Sequence, residues 1–175
     1  MRIKTIELPR VEKVGNAFLM KPSNHLVSVK LSSLRETGSN FLSHSYYIRT
    51  LELPRLEVVG DYFLRHIENF TTIKFPKLTV AGNHFLSMSR NIECLELPEL
   101  RTIGGEALYY SDDLVYLKAP KLESVGNNFL FYNLTLRTLD LPSLVSVKDA
   151  FLYKNAALSH FNAPKLKQVG HSFLY

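Results

Sequence analysis

Apolar and polar positions recur along this chain in a fixed register, Leu-x-x-Leu-x-Leu-Pro-x-Leu-x-x-Val-Gly-x-x-Phe-Leu followed by five variable residues. Units begin at Ile3, Leu26, Ile48, Phe70, Ile92, Leu114, Leu136 and Leu158, at intervals of 22 residues except for a first interval of 23. The eighth unit reaches Tyr175 without its tail. Counting positions within the unit, position 17 is Leu in all eight units, and position 16 is Phe in all but one, which has Ala107. Pro holds position 7 except at Ser32, and Gly holds position 13 except at Lys148.

Positions 1, 4 and 6 are apolar while 3 and 5 are mostly polar, the period-two pattern of a strand with one buried face. Proline at position 7 lacks an N–H and should stop the ladder there. Gly at position 13 fits a turn with positive φ, and the polar residue after it (Asn16, Ser39, Asp61, Asn83) fits a turn or cap. Phe-Leu should then point back inward from a short turn or 3₁₀ segment. A single unit cannot bury these residues, but stacked units can, each covering its neighbour's apolar face.

Position 5 reads Glu7, Lys30, Glu52, Lys74, Glu96, Lys118, Asp140, Asn162. In stacked parallel strands these side chains lie roughly 4.8 Å apart, so alternating signs predict a continuous ladder of facing pairs on the exposed face. The fold expected is of the α/β repeat class. It is a solenoid with one parallel sheet of about eight short strands on a concave face, and turns with short 3₁₀ pieces on the convex face. Five variable residues are too few for a full α-helix.

The register leaves no room for a second domain, so residues 1–175 read as one solenoid. No apolar run approaches the ~18 residues of a membrane span, and no secretory leader is legible. Neither end resembles a polar capping repeat, which suggests a piece of a longer array or ends that associate with each other. The lone Cys94 forms no internal disulfide, and the net charge is +5. Part of that charge lies at position 8, in Arg10, Arg55, Lys77, Lys121 and Lys165 against Glu99. The stripe reads as a solvated rim, with a polyanion or nucleic-acid track as the sharper alternative.

No phosphate loop, HExxH, paired-Cys spacing or nucleophile elbow occurs, so no catalytic residue, cofactor or metal site is assigned. His44 and His66 share position 19 in adjacent units, but Met88 and Tyr110 follow in that column, so the pair reads as two convex-side histidines. Position 18 ends in Tyr109, Phe131, Tyr153 and Tyr175, with Tyr110 and Tyr132 beside them, either a packed lateral seam or an aromatic contact surface. Position 3, on the exposed strand face, is mostly Thr, a good strand former, but departs at Cys94, Tyr116 and His160. With Glu96 and Lys118 alongside, these are the candidate partner-binding residues. Asn69-Phe70-Thr71 and Asn133-Leu134-Thr135 match the glycosylation sequon at unit junctions expected to be exposed.

Over essentially the whole chain, these columns resemble the BspA-type, or Treponema pallidum-type, leucine-rich repeats. The unit departs in its length of 22 rather than about 23 residues, in Phe-Leu where the family has Ala-Phe, and in lacking a later Cys. The resemblance implies a curved solenoid for protein recognition, on secreted or cell-surface molecules acting in adhesion to host or matrix proteins. The reading is therefore a protein-binding module without catalysis. A self-assembling spacer, pairing end to end, is the first alternative, and a polyanion binder using the basic rim is the second.

Overall fold

Positions 3–5 form strands, as their alternation requires. The computed structural model, which describes residues 2–175, has them at β1 (Thr5–Glu7), β3 (Ser28–Lys30), β5 (Thr50–Glu52), β7 (Thr72–Lys74), β9 (Cys94–Glu96), β11 (Tyr116–Lys118), β13 (Thr138–Asp140) and β15 (His160–Asn162). The middle residue of each points inward, and Val29, Leu95 and Leu139 are completely buried. Pairing is parallel and in register, Thr5 with Ser28 and Tyr116 with Cys94. The chain is thus a parallel β-solenoid of leucine-rich repeats, with no helix among the described residues.

Two features of the sheet differ from the single continuous one expected. The first ladder is interrupted, running β1-β3-β5, then β7-β9-β11, then β13-β15. A second ladder at positions 11–12 is continuous: β2 (Lys13–Val14), β4 (Glu36–Thr37), β6 (Val58–Val59), β8 (Val80–Ala81), β10 (Thr102–Ile103), β12 (Ser124–Val125), β14 (Ser146–Val147) and β16 (Gln168–Val169) pair in chain order. The corner between the ladders is the proline turn. In most units the position 9 N–H donates to the position 6 carbonyl, as in Leu56 to Leu53 and Leu122 to Ala119, with Pro at the second residue of the turn, where its fixed φ suits it.

The wall carrying Phe-Leu is a third hydrogen-bonded ladder. Position 15 donates forward to the position 14 carbonyl of the next unit (Tyr62 to Asn83), position 17 backward (Leu64 to Phe41) and position 19 forward again (His66 to Ser87). This alternation of peptide sense places positions 15, 17 and 19 in the left-handed region; the eight leucines of position 17 have φ between 48° and 56°. Such angles strain a non-glycine residue, and here each is held by a bond to a neighbouring coil. The expected 3₁₀ geometry is reduced to a single turn bond in several units, as from Arg65 N–H to the Tyr62 carbonyl. Inside this wall the position 16 rings stack: Phe41 on Phe63 at 5.3 Å, Phe63 on Phe85 at 5.7 Å, and Phe129 on Phe151 at 5.9 Å. Ala107 interrupts the stack and is itself fully buried.

Glycine at position 13 serves a purpose other than the expected positive φ, since no glycine has one. A Cβ on Gly126 would lie 2.3 Å from the Gly105 nitrogen, and one on Gly82 2.6 Å from the Gly60 carbonyl carbon. Absence of a side chain lets the coils approach. The polar residue that follows neither caps a helix nor closes its own turn. Its side-chain oxygen accepts from the backbone N–H at the same position one coil on, Asn16 Oδ1 from Ser39 and Asp61 Oδ1 from Asn83.

Position 20, within the stretch read as variable, is a buried polar column. The hydroxyls of Ser89 and Ser111 and the amide of Asn133 donate to the carbonyls of Leu64, Leu86 and Leu108 at 3.0–3.1 Å. Asn133 is 0% exposed, which corrects the expectation that both sequons are accessible: Asn69 is exposed, whereas the Asn133 amide is sequestered. Asn133→Ala should cost about 1–3 kcal/mol, because the Leu108 carbonyl loses its partner in a place water does not reach. Asn133→Ser should recover part of that, since serine makes the equivalent bond in this column in the two preceding coils. Urea denaturation of the two variants measures the difference.

Candidate functional site

Positions 3 and 5 of the first ladder face solvent, and the register lays their side chains side by side. Tyr116 pairs with Cys94, and Lys118 with Glu96, across β9 and β11. Tyr116 is 47% exposed, Lys118 and His160 are also exposed, and Cys94 and Glu96 are half-buried. His160 lies two coils from Tyr116, with Thr138 its register partner in between.

A cleft of about 300 Å³ lies at the interruption between β11 and β13, lined by Tyr116, Lys118, Pro120, Thr138, Asp140 and His160. Three of the five residues expected from sequence thus meet in one concavity, while Cys94 and Glu96 lie on the adjoining strand. Thr138 and Asp140 complete the cleft and were not singled out, because each follows its column and nothing in the composition announces a break in the ladder.

The charge ladder is less continuous than the alternation predicts. Lys30 pairs with Glu52 at 3.2 Å and Lys74 with Glu96 at 2.7 Å, and the Asn162 amide donates to Asp140 at 2.9 Å. Both breaks in the first ladder fall between residues of opposite charge, Glu52 against Lys74 and Lys118 against Asp140. Lys118 consequently has no ion-pair partner among the described residues, and Asp140 has only Asn162. A lysine and a carboxylate therefore line the cleft beside an exposed tyrosine, with their charge open to a ligand.

A further set of ion pairs lies at position 10, where Arg35 meets Glu57 and Arg101 meets Glu123, each at 2.7 Å. Exposed pairs of this kind contribute at most about 1 kcal/mol each. They tie adjacent coils on the face next to the second ladder. At position 8 the basic rim is divided, because Lys121 binds Glu99 at 2.6 Å.

The aromatic column is a packed seam. Tyr109 stacks on Phe131 and Phe131 on Tyr153, both at 4.9 Å, Tyr153 stacks on Tyr175 at 5.0 Å, and Tyr110 lies on Tyr132 at 4.8 Å. Tyr109, Phe131 and Tyr153 are half-buried, their faces occupied by each other. Burial holds the Tyr109 hydroxyl above the ordinary tyrosine pKa, with Tyr110 adding to the effect.

Stacked short coils, three ladders and an exposed, chemically mixed strand face define a repeat scaffold of the kind that serves protein interaction. Folds of this class are typically non-catalytic. The chain belongs to the BspA type leucine rich repeat region family, whose model matches in six copies over residues 1–115 and 79–175. No curated protein and no solved structure matches it significantly.

Proposed function

We propose that this chain is a recognition module that binds a protein partner through the outer face of its first ladder, centred on the cleft between β11 and β13. The observation that carries this reading is the cleft itself, which sets an exposed tyrosine and a lysine without an ion-pair contact beside Asp140 and His160. Tyrosine anchors contribute disproportionately to protein interfaces, and a charge without an internal partner gains from a complementary one across the interface. Cys94 and Glu96 extend the surface onto the preceding strand, β9. Residues 1–175 act in this reading as one solenoid, without catalysis, whose rigidity keeps the face preorganised.

The finer reading is adhesion to a host or matrix protein by a secreted or surface-exposed parent molecule. It draws on the habits of the family. A polyanion track along position 8 is the weaker reading, because Glu99 neutralises Lys121 in the middle of the stripe.

Affinity capture from host-cell and matrix lysate, run with the native chain and with Tyr116→Asp, tests the proposal. A partner held at physiological salt by the native chain should fall at least tenfold in recovery with the variant, whose fold is unchanged because Tyr116 is exposed. Equal recovery by both chains would move the binding surface elsewhere. Absence of any partner would favour a structural spacer.

A further inference from the structure

Position 19 places His44, His66 and Met88 on three successive coils, all with the same left-handed backbone, φ 61°, 56° and 55°. Equal backbone angles project the three side chains side by side. The His44 and His66 rings lie 4.6 Å apart with Nδ1 to Nδ1 at 3.0 Å, and His66 Nε2 lies 2.9 Å from the Met88 sulfur. The Cε1 edge of His66 thus faces both neighbours. Turning that ring over about Cβ–Cγ brings Nε2 into the arc between His44 Nδ1 and Met88 Sδ. All three residues are half-buried, and the concavity beside them, about 440 Å³, gives access from solvent.

No group of three His, Cys, Asp or Glu side chains converges among the described residues, so no hard or borderline divalent ion finds a full ligand set here. Two imidazoles and a thioether are a different set. Soft sulfur ligands select monovalent copper, which accepts two or three ligands and needs no carboxylate. We propose that His44, His66 and Met88 form a site for a soft monovalent cation, Cu(I) being the chemical type. Burial, then the Arg65 charge and Lys21, lower the pKa of His44, while burial, His44 and Arg65 lower that of His66. Both shifts favour the neutral imidazole over the charged one.

Other groups face the site. The Tyr46 hydroxyl lies 3.0 Å from His44 Nδ1, and an Arg65 nitrogen lies 3.5 Å from the Met88 sulfur. Glu68, Arg90 and Asp112 line the same concavity. Arg65 and Arg90 oppose a cation and the two carboxylates favour it, so these four charges largely offset one another and the preference for a soft monovalent ion rests on the thioether.

The test is anaerobic Cu(I) competition against bicinchoninate with ascorbate present, using the Cys94→Ser chain so that the lone thiol takes no copper. That chain should withdraw one equivalent of Cu(I) and hold Zn(II) at least tenfold more weakly. Met88→Leu, which conserves volume, and His66→Gln should each lower Cu(I) affinity at least tenfold with unchanged circular dichroism. The proposal is overturned if the Cys94→Ser chain takes no Cu(I), or if both variants bind as tightly as their parent.

Discussion

Phe63→Ala should be among the most damaging single substitutions in the chain, costing about 3–5 kcal/mol as buried Phe-to-Ala changes do. Phe63 is 0% exposed, stacked between Phe41 and Phe85, and edge-on to Phe75 at 5.5 Å. The neighbours cannot close over the void, because each is held in its own coil by ladder bonds on both sides. The lost ring contacts add to the loss of apolar burial. In a stack where each coil contacts only its neighbours, a gap in a central coil also weakens the coupling between the two halves. Phe18→Ala should cost less, since Phe18 is only partly buried and has a single stacking partner, Phe41 at 5.8 Å. Denaturant unfolding compares the two, and a loss below about 1 kcal/mol for Phe63→Ala would mean that this column is not a packed core.

The second large effect has opposite signs at two glycines of one column. Gly126→Ala should destabilise by about 1–3 kcal/mol or more, because its Cβ would enter the backbone of Gly104 and Gly105 and the coils must separate to admit it. Lys148 shows what separation entails. Each glycine of this column from Gly38 onward donates its N–H to the preceding coil, Gly126 to Ile103 at 3.0 Å, and no equivalent bond from Lys148 is present among the described residues. Gly15→Ala should be neutral or stabilising by about 0.4–1 kcal/mol, since nothing lies within 4 Å of its Cβ and its φ is not positive. Thermal melts of the pair separate the two roles of glycine, because a requirement for positive φ would destabilise both variants alike.

That contrast also marks where the sequence stops being legible. Absence of Cβ is the shared signature of a left-handed turn and of close backbone approach, and the residue string does not distinguish them. The repeat length, the strand at positions 3–5 and the inward Phe-Leu pair were readable because each is a column of one residue type with a period-two or buried environment. The second ladder was not, because at two residues per strand, with position 11 ranging from Lys13 to Val80, it shows no alternation. Position 20 escaped because serine and asparagine there look like loop residues, whereas they satisfy carbonyls that the left-handed leucines turn into the interior. At the candidate site, Tyr116 and His160 stood out as departures from their column, and Lys118 as a neighbour of Tyr116. The cleft that unites them depends on a break in pairing that no residue type announces, and the structure offers no single residue as its cause.

Hydrogen–deuterium exchange of the chain with its captured partner bound shows whether recognition runs through the first ladder. Added protection is expected in residues 94–96, 116–118 and 138–140, with the second ladder and the aromatic seam unchanged. Protection confined to the second ladder or to the seam around Phe131, with residues 116–118 exchanging as in the free chain, would contradict it.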